Sequence, residues 1–172
     1  MARAVQQRSM LSRVALGSDP VRRAIYIVGM APAVWYFYAG INNQLGADPL
    51  NVLERALGLW ALRFLVAGLA ITPLRRLGGP NLIRYRRAIG LLAFYYAALH
   101  LTTYLVLDQG LDLAAIWADI VKRPYITVGM LAFIVLVPLA VTSNGPSIRR
   151  LGARWNSLHR LVYVAAAAGA LH

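Results

Sequence analysis

The sequence contains no cysteine, which excludes disulfides, iron–sulfur clusters and thiolate zinc sites. The same absence carries no information about redox compartment. Acids are scarce as well: six Asp and Glu in 172 residues, scattered along the chain. No GxGxxG or GxxxxGK loop accompanies them, so nothing points to nucleotide binding or to hydrolysis in a water-filled active site. Lysine is almost missing too, since 17 of the 18 basic residues are Arg. Charged residues make up only 14% of the chain, against about a quarter in soluble domains.

What the chain has in abundance is apolar sequence, at 59% of its residues. A soluble core of this length has no use for so much, and the composition is that of a membrane protein. The formal charge of +12 would suggest nucleic acid in a soluble protein. Here the charges fall between long apolar runs, where membrane topology explains them better.

Five apolar segments follow a basic tail of residues 1–23, at about 24–41, 51–73, 86–107, 124–142 and 156–172. About 20 helical residues cross a hydrocarbon core ~30 Å thick, which the first four approach and the fifth nearly reaches. The expected fold is therefore an all-α polytopic transmembrane bundle of five helices. No small-residue cleavage site follows the first run, which reads as a retained anchor and not a signal peptide. Arg3, Arg8, Arg13, Arg22 and Arg23 lie in the tail, Arg75, Arg76, Arg84, Arg86 and Arg87 in 74–87, and Arg149, Arg150 and Arg154 in 143–155. The alternate loops carry Asp48 in 42–50, and three Asp with Lys122 and Arg123 in 108–123. Positive charge on every second loop puts the N-terminus in the cytoplasm. Pro73 is expected to follow the second helix, Gly78-Gly79-Pro80 to break the next loop, Pro124 to open the fourth helix and Pro138 to kink it. The run Ala165–Ala168 with Gly169 gives the fifth helix a slim face for something bulky.

The three histidines all fall in these segments. His100 comes 14 residues, ~21 Å, up the third helix from Arg86, and His172 lies 13 residues, ~20 Å, above His159. His100 and His172 thus share a depth on two helices toward the outer side, and such a pair can clamp haem iron through two axial imidazoles. The plain alternative is that each is a hydrogen-bonded core residue. Thirteen residues leave an ideal helix about 140° short of four whole turns, so His159 and His172 share a face only if the helix is distorted. His159 has no histidine at its own depth. It is open to three readings: single ligand of a second haem, hydrogen-bonder at a quinone site, or structural residue. Arg86, Arg87 and Arg160 lie at its level and suit haem propionates or a flavin phosphate, or are simply positive-inside anchors. Arg63 sits near mid-membrane, where a charge is expensive, and should face the bundle interior, paired with a propionate, a quinone carbonyl or backbone carbonyls. Trp35, Trp60, Tyr95, Tyr96 and Tyr104 are either pocket liners or interfacial aromatics.

Several stretches together resemble one family: LGADP (46–50), ALRFLVAGLAITPLRR (61–76), LIRYRRAIGLLAFYYAALHLTTYL (82–105), RPYITVGM (123–130), PLAVTS (138–143) and RWNSLHRLVYVAAAAGALH (154–172). They are similar to the haem-binding membrane subunits of periplasmic methionine sulfoxide reductase systems, the MsrQ (YedZ) family, within the ferric-reductase-like transmembrane group. The resemblance implies a b-type haem protein of the bacterial inner membrane, with one or two haems, and flavin mononucleotide has also been associated with the family. It implies electron transfer from quinol, or from a cytoplasmic flavin reductase, to a periplasmic molybdopterin enzyme that repairs oxidised methionine in envelope proteins. The sulfoxide chemistry would belong to that partner. His100, His159 and His172 match the family's haem-associated histidines, and Arg86 and Arg87 the basic pair opening its third helix. The family continues into a sixth helix, so residues 24–172 are expected to form a domain shortened at its C-terminus. The rival readings are a ferric reductase or other cytochrome b subunit, and a transport or assembly protein with structural histidines.

Overall fold

The computed structural model describes residues 19–172, and the regular structure among them is helical. The tail arginines Arg3, Arg8 and Arg13 lie outside the described residues. Helix α1 (Pro20–Ile41) has proline at its first position and is capped by Asp19, which accepts from the Val21 N–H. Helix α2 (Pro49–Arg76) repeats the device with Asp48, Pro49 and the Asn51 N–H. Proline loses nothing there because the first N–H of a helix is unbonded anyway, and the carboxylate satisfies another orphan donor. The same bonds to Asn51, side chain first and then backbone, hold the Asp48 carboxyl below the usual carboxylate range. A 3₁₀ turn at Ile83–Tyr85 leads into α3 (Arg86–Thr102), which ends in a π-helical turn, Thr103–Asp108. Then come α4 (Leu113–Lys122), α5 (Pro124–Val141), α6 (Gly145–Leu151), α7 (Ala153–His159) and α8 (Val162–Leu171).

Four stretches are long and apolar enough to cross a membrane: Pro20–Ile41, Pro49–Arg76, Ile83–Asp108 and Pro124–Val141. They correspond to the first four expected segments. Their outer sides remain apolar, with Ile27 73% and Val28 70% exposed, which suits lipid and not water. The fifth segment is divided between α7 and α8. Across Arg160–Leu161 the bonding tightens to i→i+3, with Leu161 N–H donating to Leu158 O and Tyr163 N–H to Arg160 O. This turn is the distortion that separates the two histidines of the segment.

Two expectations change. Pro73 lies inside the last turn of α2 and does not follow it; the Leu77 N–H closes onto Pro73 O, and Gly78, at φ +84°, makes the exit. Residues 108–123 are not simply a loop, because Asp112 accepts from the Ala114 and Ala115 N–H groups and starts α4. Pro124 does open α5, and Pro138 lies inside it.

α2 and α3 pack along one another, α5 packs on α8, and α1 lies against α2 and α3. Where α1 meets α3, Leu92 would come within 2.5 Å of any Cβ at Gly29. Beside it the Tyr96 hydroxyl, fully buried, is inserted into the α1 ladder. It accepts from the Ala33 N–H at 3.0 Å and donates to Gly29 O at 2.7 Å, replacing a backbone bond. One buried cluster, Ala33, Leu53, Leu57 and Tyr96, joins α1, α2 and α3. A second, Leu65, Ala93, Leu136 and Ala165, takes one residue each from α2, α3, α5 and α8.

Candidate metal centre

Above the second cluster the same four helices part around a cavity of roughly 840 Å³, within the ~300–1,000 Å³ common for small-molecule sites. Leu65, Ala93, Leu136 and Ala165 belong to its lining, so the cluster forms its floor. Asn51, Arg55, Tyr104, Asp108, Arg123 and Tyr125 bring polar groups to the other end. His100 and His172 both line it.

The two rings are held the same way. His100 Nδ1 is 2.9 Å from the Glu54 carbonyl oxygen, and His172 Nδ1 is 2.7 Å from that of Tyr125. A carbonyl oxygen only accepts, so each neutral ring carries its proton on Nδ1. Both Nε2 atoms are then lone pairs, and they face each other at 3.4 Å with the rings 72° apart. With no proton between them the contact is not a hydrogen bond; two lone pairs converge on one point. Metal–imidazole bonds of about 2.0–2.1 Å in line need nitrogens ~4 Å apart, so a slight parting of the rings admits a metal. A backbone carbonyl behind the ring is the usual support that fixes a metal-binding tautomer.

The walls fit a bulky flat group. Gly58 lies behind His100, where a Cβ would come 3.4 Å from Nδ1. Gly129 lies behind His172, where a Cβ would meet Cε1 at 2.6 Å and Cγ at 2.8 Å. Ala97, Ala132 and Gly169 leave further room, and Gly169 with Ala165 is the slim face expected of the last helix. Among the described residues no three His, Asp or Glu converge, so what this candidate centre could offer a metal is two imidazoles. Glu54 Oε1 is a buried oxygen at this cavity without a hydrogen-bond partner among the described residues.

The remaining expected site residues lie elsewhere. His159 Nε2 is 3.1 Å from Thr142 Oγ1, which itself donates to Pro138 O at 2.6 Å. Its ring stacks on Trp155 at 3.9 Å between centroids, and the Trp155 indole donates to Thr142 O. Arg86, half-buried, donates to Thr72 Oγ1 at 3.3 Å and has His159 nearby; Arg87 and Arg160 are exposed. Arg63 is exposed and does not face the bundle interior; it lies 4.8 Å over the Trp60 ring on the side of α2 away from the histidines. The packing reason is that Gly58, Ala61, Leu62 and Leu65 already supply the cavity face of α2. Of the aromatics, Tyr104 lines the histidine cavity, Trp35 and Trp60 line a separate groove, and Tyr96 stands between, in the α1–α3 contact.

Arg55 and Arg123 are the basic residues the structure brings to the histidine cavity, and the sequence reading did not single them out as site residues. The signal available for Arg55 was a Glu-Arg pair inside an otherwise apolar segment. Arg123 is tied to Asp119 at 3.5 Å, with its side chain 53% exposed, so the pair orients the guanidinium more than it stabilises the fold.

Residues 44–170 match the family described as the ferric reductase like transmembrane component. Relatives from Brucella anthropi, Brucella ovis and Brucella canis are each 62% identical over 148 residues, covering 86% of this chain and 67% of the relative. Each carries the name protein-methionine-sulfoxide reductase heme-binding subunit MsrQ. No solved structure matches the chain. With most of its length aligned to both, the chain belongs to the MsrQ family, within the ferric-reductase-like transmembrane group.

Proposed function

We propose that this chain is the haem b-carrying electron-transfer subunit of a methionine sulfoxide reductase system in the bacterial inner membrane. It would take electrons from quinol, or from a cytoplasmic flavin reductase, and deliver them to a periplasmic molybdopterin enzyme. The observation that carries the reading is the pair of Nε2 lone pairs meeting at 3.4 Å, with both Nδ1 protons committed to carbonyls. Haem, when bound there, would supply a one-electron iron couple. His100 and His172 would hold the iron, Glu54 O and Tyr125 O orient the two rings, and Gly58 and Gly129 keep the space behind them. Arg55 and Arg123, at the polar end, would serve the propionates as charge-assisted donors. That end carries Asp48, Asp108, Asp112 and Asp119, while Arg75, Arg76, Arg84, Arg86 and Arg87 mark the opposite end. The positive-inside rule then puts the N-terminus in the cytoplasm and the histidine pair toward the periplasm, where the partner docks. His159, with Arg86, Arg87 and Arg160, lies at the cytoplasmic end, where a flavin mononucleotide phosphate or a second haem would be held.

Spectroscopy tests the assignment. Purified wild-type protein should show a Soret band and reduced α-band with the signature of a haem bound by two imidazoles. His100→Ala and His172→Ala should each lose that signal, while His159→Ala keeps it. An unchanged spectrum in His100→Ala would sink the ligand assignment.

A further inference from the structure

A second hollow lies on the opposite side of α2, between α1 and α2, with a volume of roughly 1,420 Å³. Val28, Pro32, Trp35, Trp60 and Phe64 give it apolar walls, and among its lining residues Arg63 alone is charged. Arg63 is fourteen residues from Pro49 and thirteen from Arg76, at the centre of α2, so it lies ~20 Å from either end of the helix. Among the described residues its guanidinium has no hydrogen-bond or ion-pair partner, only the Trp60 ring beneath it. Residues 1–18 contain no Asp or Glu to neutralise it. A cation kept at this depth is expensive and marks a ligand or pathway. The acceptor that reaches it must itself be lipid-soluble, because phosphate headgroups stay at the membrane surfaces, ~15 Å from the midplane.

We propose that the α1–α2 groove is a binding site for the head group of a lipid-soluble quinone, with Arg63 donating to a quinone carbonyl. The inference rests on the reading above that quinol is an electron donor. Trp35, exposed on α1, offers a face to the ring, and the open side of the groove lets an isoprenoid tail lie in the lipid. Pro32 has no N–H to give to Val28 O, so the groove wall also holds a backbone acceptor for a hydroquinone hydroxyl. The two hollows share α2 as a wall: positions 58, 61, 62 and 65 face the histidine cavity, while 60, 63, 64 and 67 face the groove. A head group beside Arg63 is therefore separated from the metal centre by about one helix diameter, ~10–12 Å. Tyr96 fills part of the gap, with its ring centroid 6.3 Å from Trp60 and 5.3 Å from Phe64.

The test uses the full-length haem-loaded protein in detergent, decyl-benzoquinone as the binding probe and an azido-quinone for photolabelling. Wild type should show saturable quenching of tryptophan fluorescence, and the label should map to α1 and α2. Arg63→Leu and Arg63→Gln should weaken binding at least tenfold, and Arg63→Lys should recover part of it, with the haem spectrum as the control for folding. Equal affinity in Arg63→Leu, or labelling confined to other helices, overturns the site. If decyl-quinol still reduces the haem in that case, the donor reading survives and only its location was wrong. If wild type neither binds the quinone nor is reduced by the quinol, both fall together. A groove occupied by a further helix of the polypeptide would give no labelling of α1 and α2, and would equally overturn the proposal.

Discussion

The tolerance of the two histidines to added volume differs, and glycine sets the difference. Behind His172 a single methyl at position 129 overlaps the ring, whereas behind His100 a methyl at position 58 makes a contact of 3.4 Å that small shifts relieve. Gly129→Ala should therefore lose most of the bound haem, and Gly58→Ala should keep nearly all of it, measured as haem per protein on purified samples. Equal haem content in the two variants would mean that His172 is not held by this wall. Tyr96 is the other residue with a sharp expectation. Tyr96→Phe removes the hydroxyl that bridges Ala33 N–H and Gly29 O, leaving both groups unpaired in a buried contact. The cost should be about 1–3 kcal/mol, read as a lowered melting temperature in detergent. An unchanged melting temperature would show that α1 closes its own ladder once the hydroxyl is gone. Each of these residues was present in the sequence as a small or aromatic position in an apolar run. What neighbour it meets is a property of the packed helices.

Elements act here through their breaks. The apolar stretch 156–172 reads as one helix, yet Arg160 and Leu161 tighten it for a turn and set the direction of α8 independently of α7. This lets His159 bond Thr142 near α7 while His172 enters the cavity at the far end of α8. One alanine inserted after Leu161 rotates everything beyond it by about 100° and should take His172 out of the cavity, abolishing the haem spectrum. An alanine inserted after Gly152, before α7, moves a turn that α8 does not depend on and should be milder. If both insertions behave alike, the turn at 160–161 does not control the ligand. The π-helical turn Thr103–Asp108 follows His100 directly and carries Tyr104, whose hydroxyl is 3.4 Å from Asp119 of α4. Neither break carries a proline or glycine, which is why periodicity alone left them invisible.

Across the whole molecule, the alternation of charge is the feature that survives from sequence to structure without change. Arginines gather at the ends of α2 and α3 that meet near Thr72 and Arg86, and acids at the ends near Asp48, Asp108 and Asp119. An alkaline phosphatase fused at Gly46 should be active outside the cytoplasm, and one fused at Gly78 should be inactive. The reverse pattern would invert the membrane orientation and put the histidine pair on the cytoplasmic side. Against the same charge map Arg63 stands apart, since it is central in its helix.

Composition and periodicity by themselves determined the class of the molecule, the first four of its five expected crossing segments and the shared depth of His100 and His172. Those depend on hydrophobic length and rise per residue, which are local and additive along a helix. The family resemblance in the motifs pointed to the same histidines. Rotation about each helix axis, and which helix lies opposite, depend on packing between distant segments, and only the tertiary structure decided them. It tied both Nδ1 atoms to carbonyls from other helices, turned Arg63 away from the cavity, and brought Arg55 and Arg123 into it. The last helix, where two histidines looked equivalent, was resolved the same way: one turn of tighter winding brings His172 to His100 in the cavity and leaves His159 with Thr142.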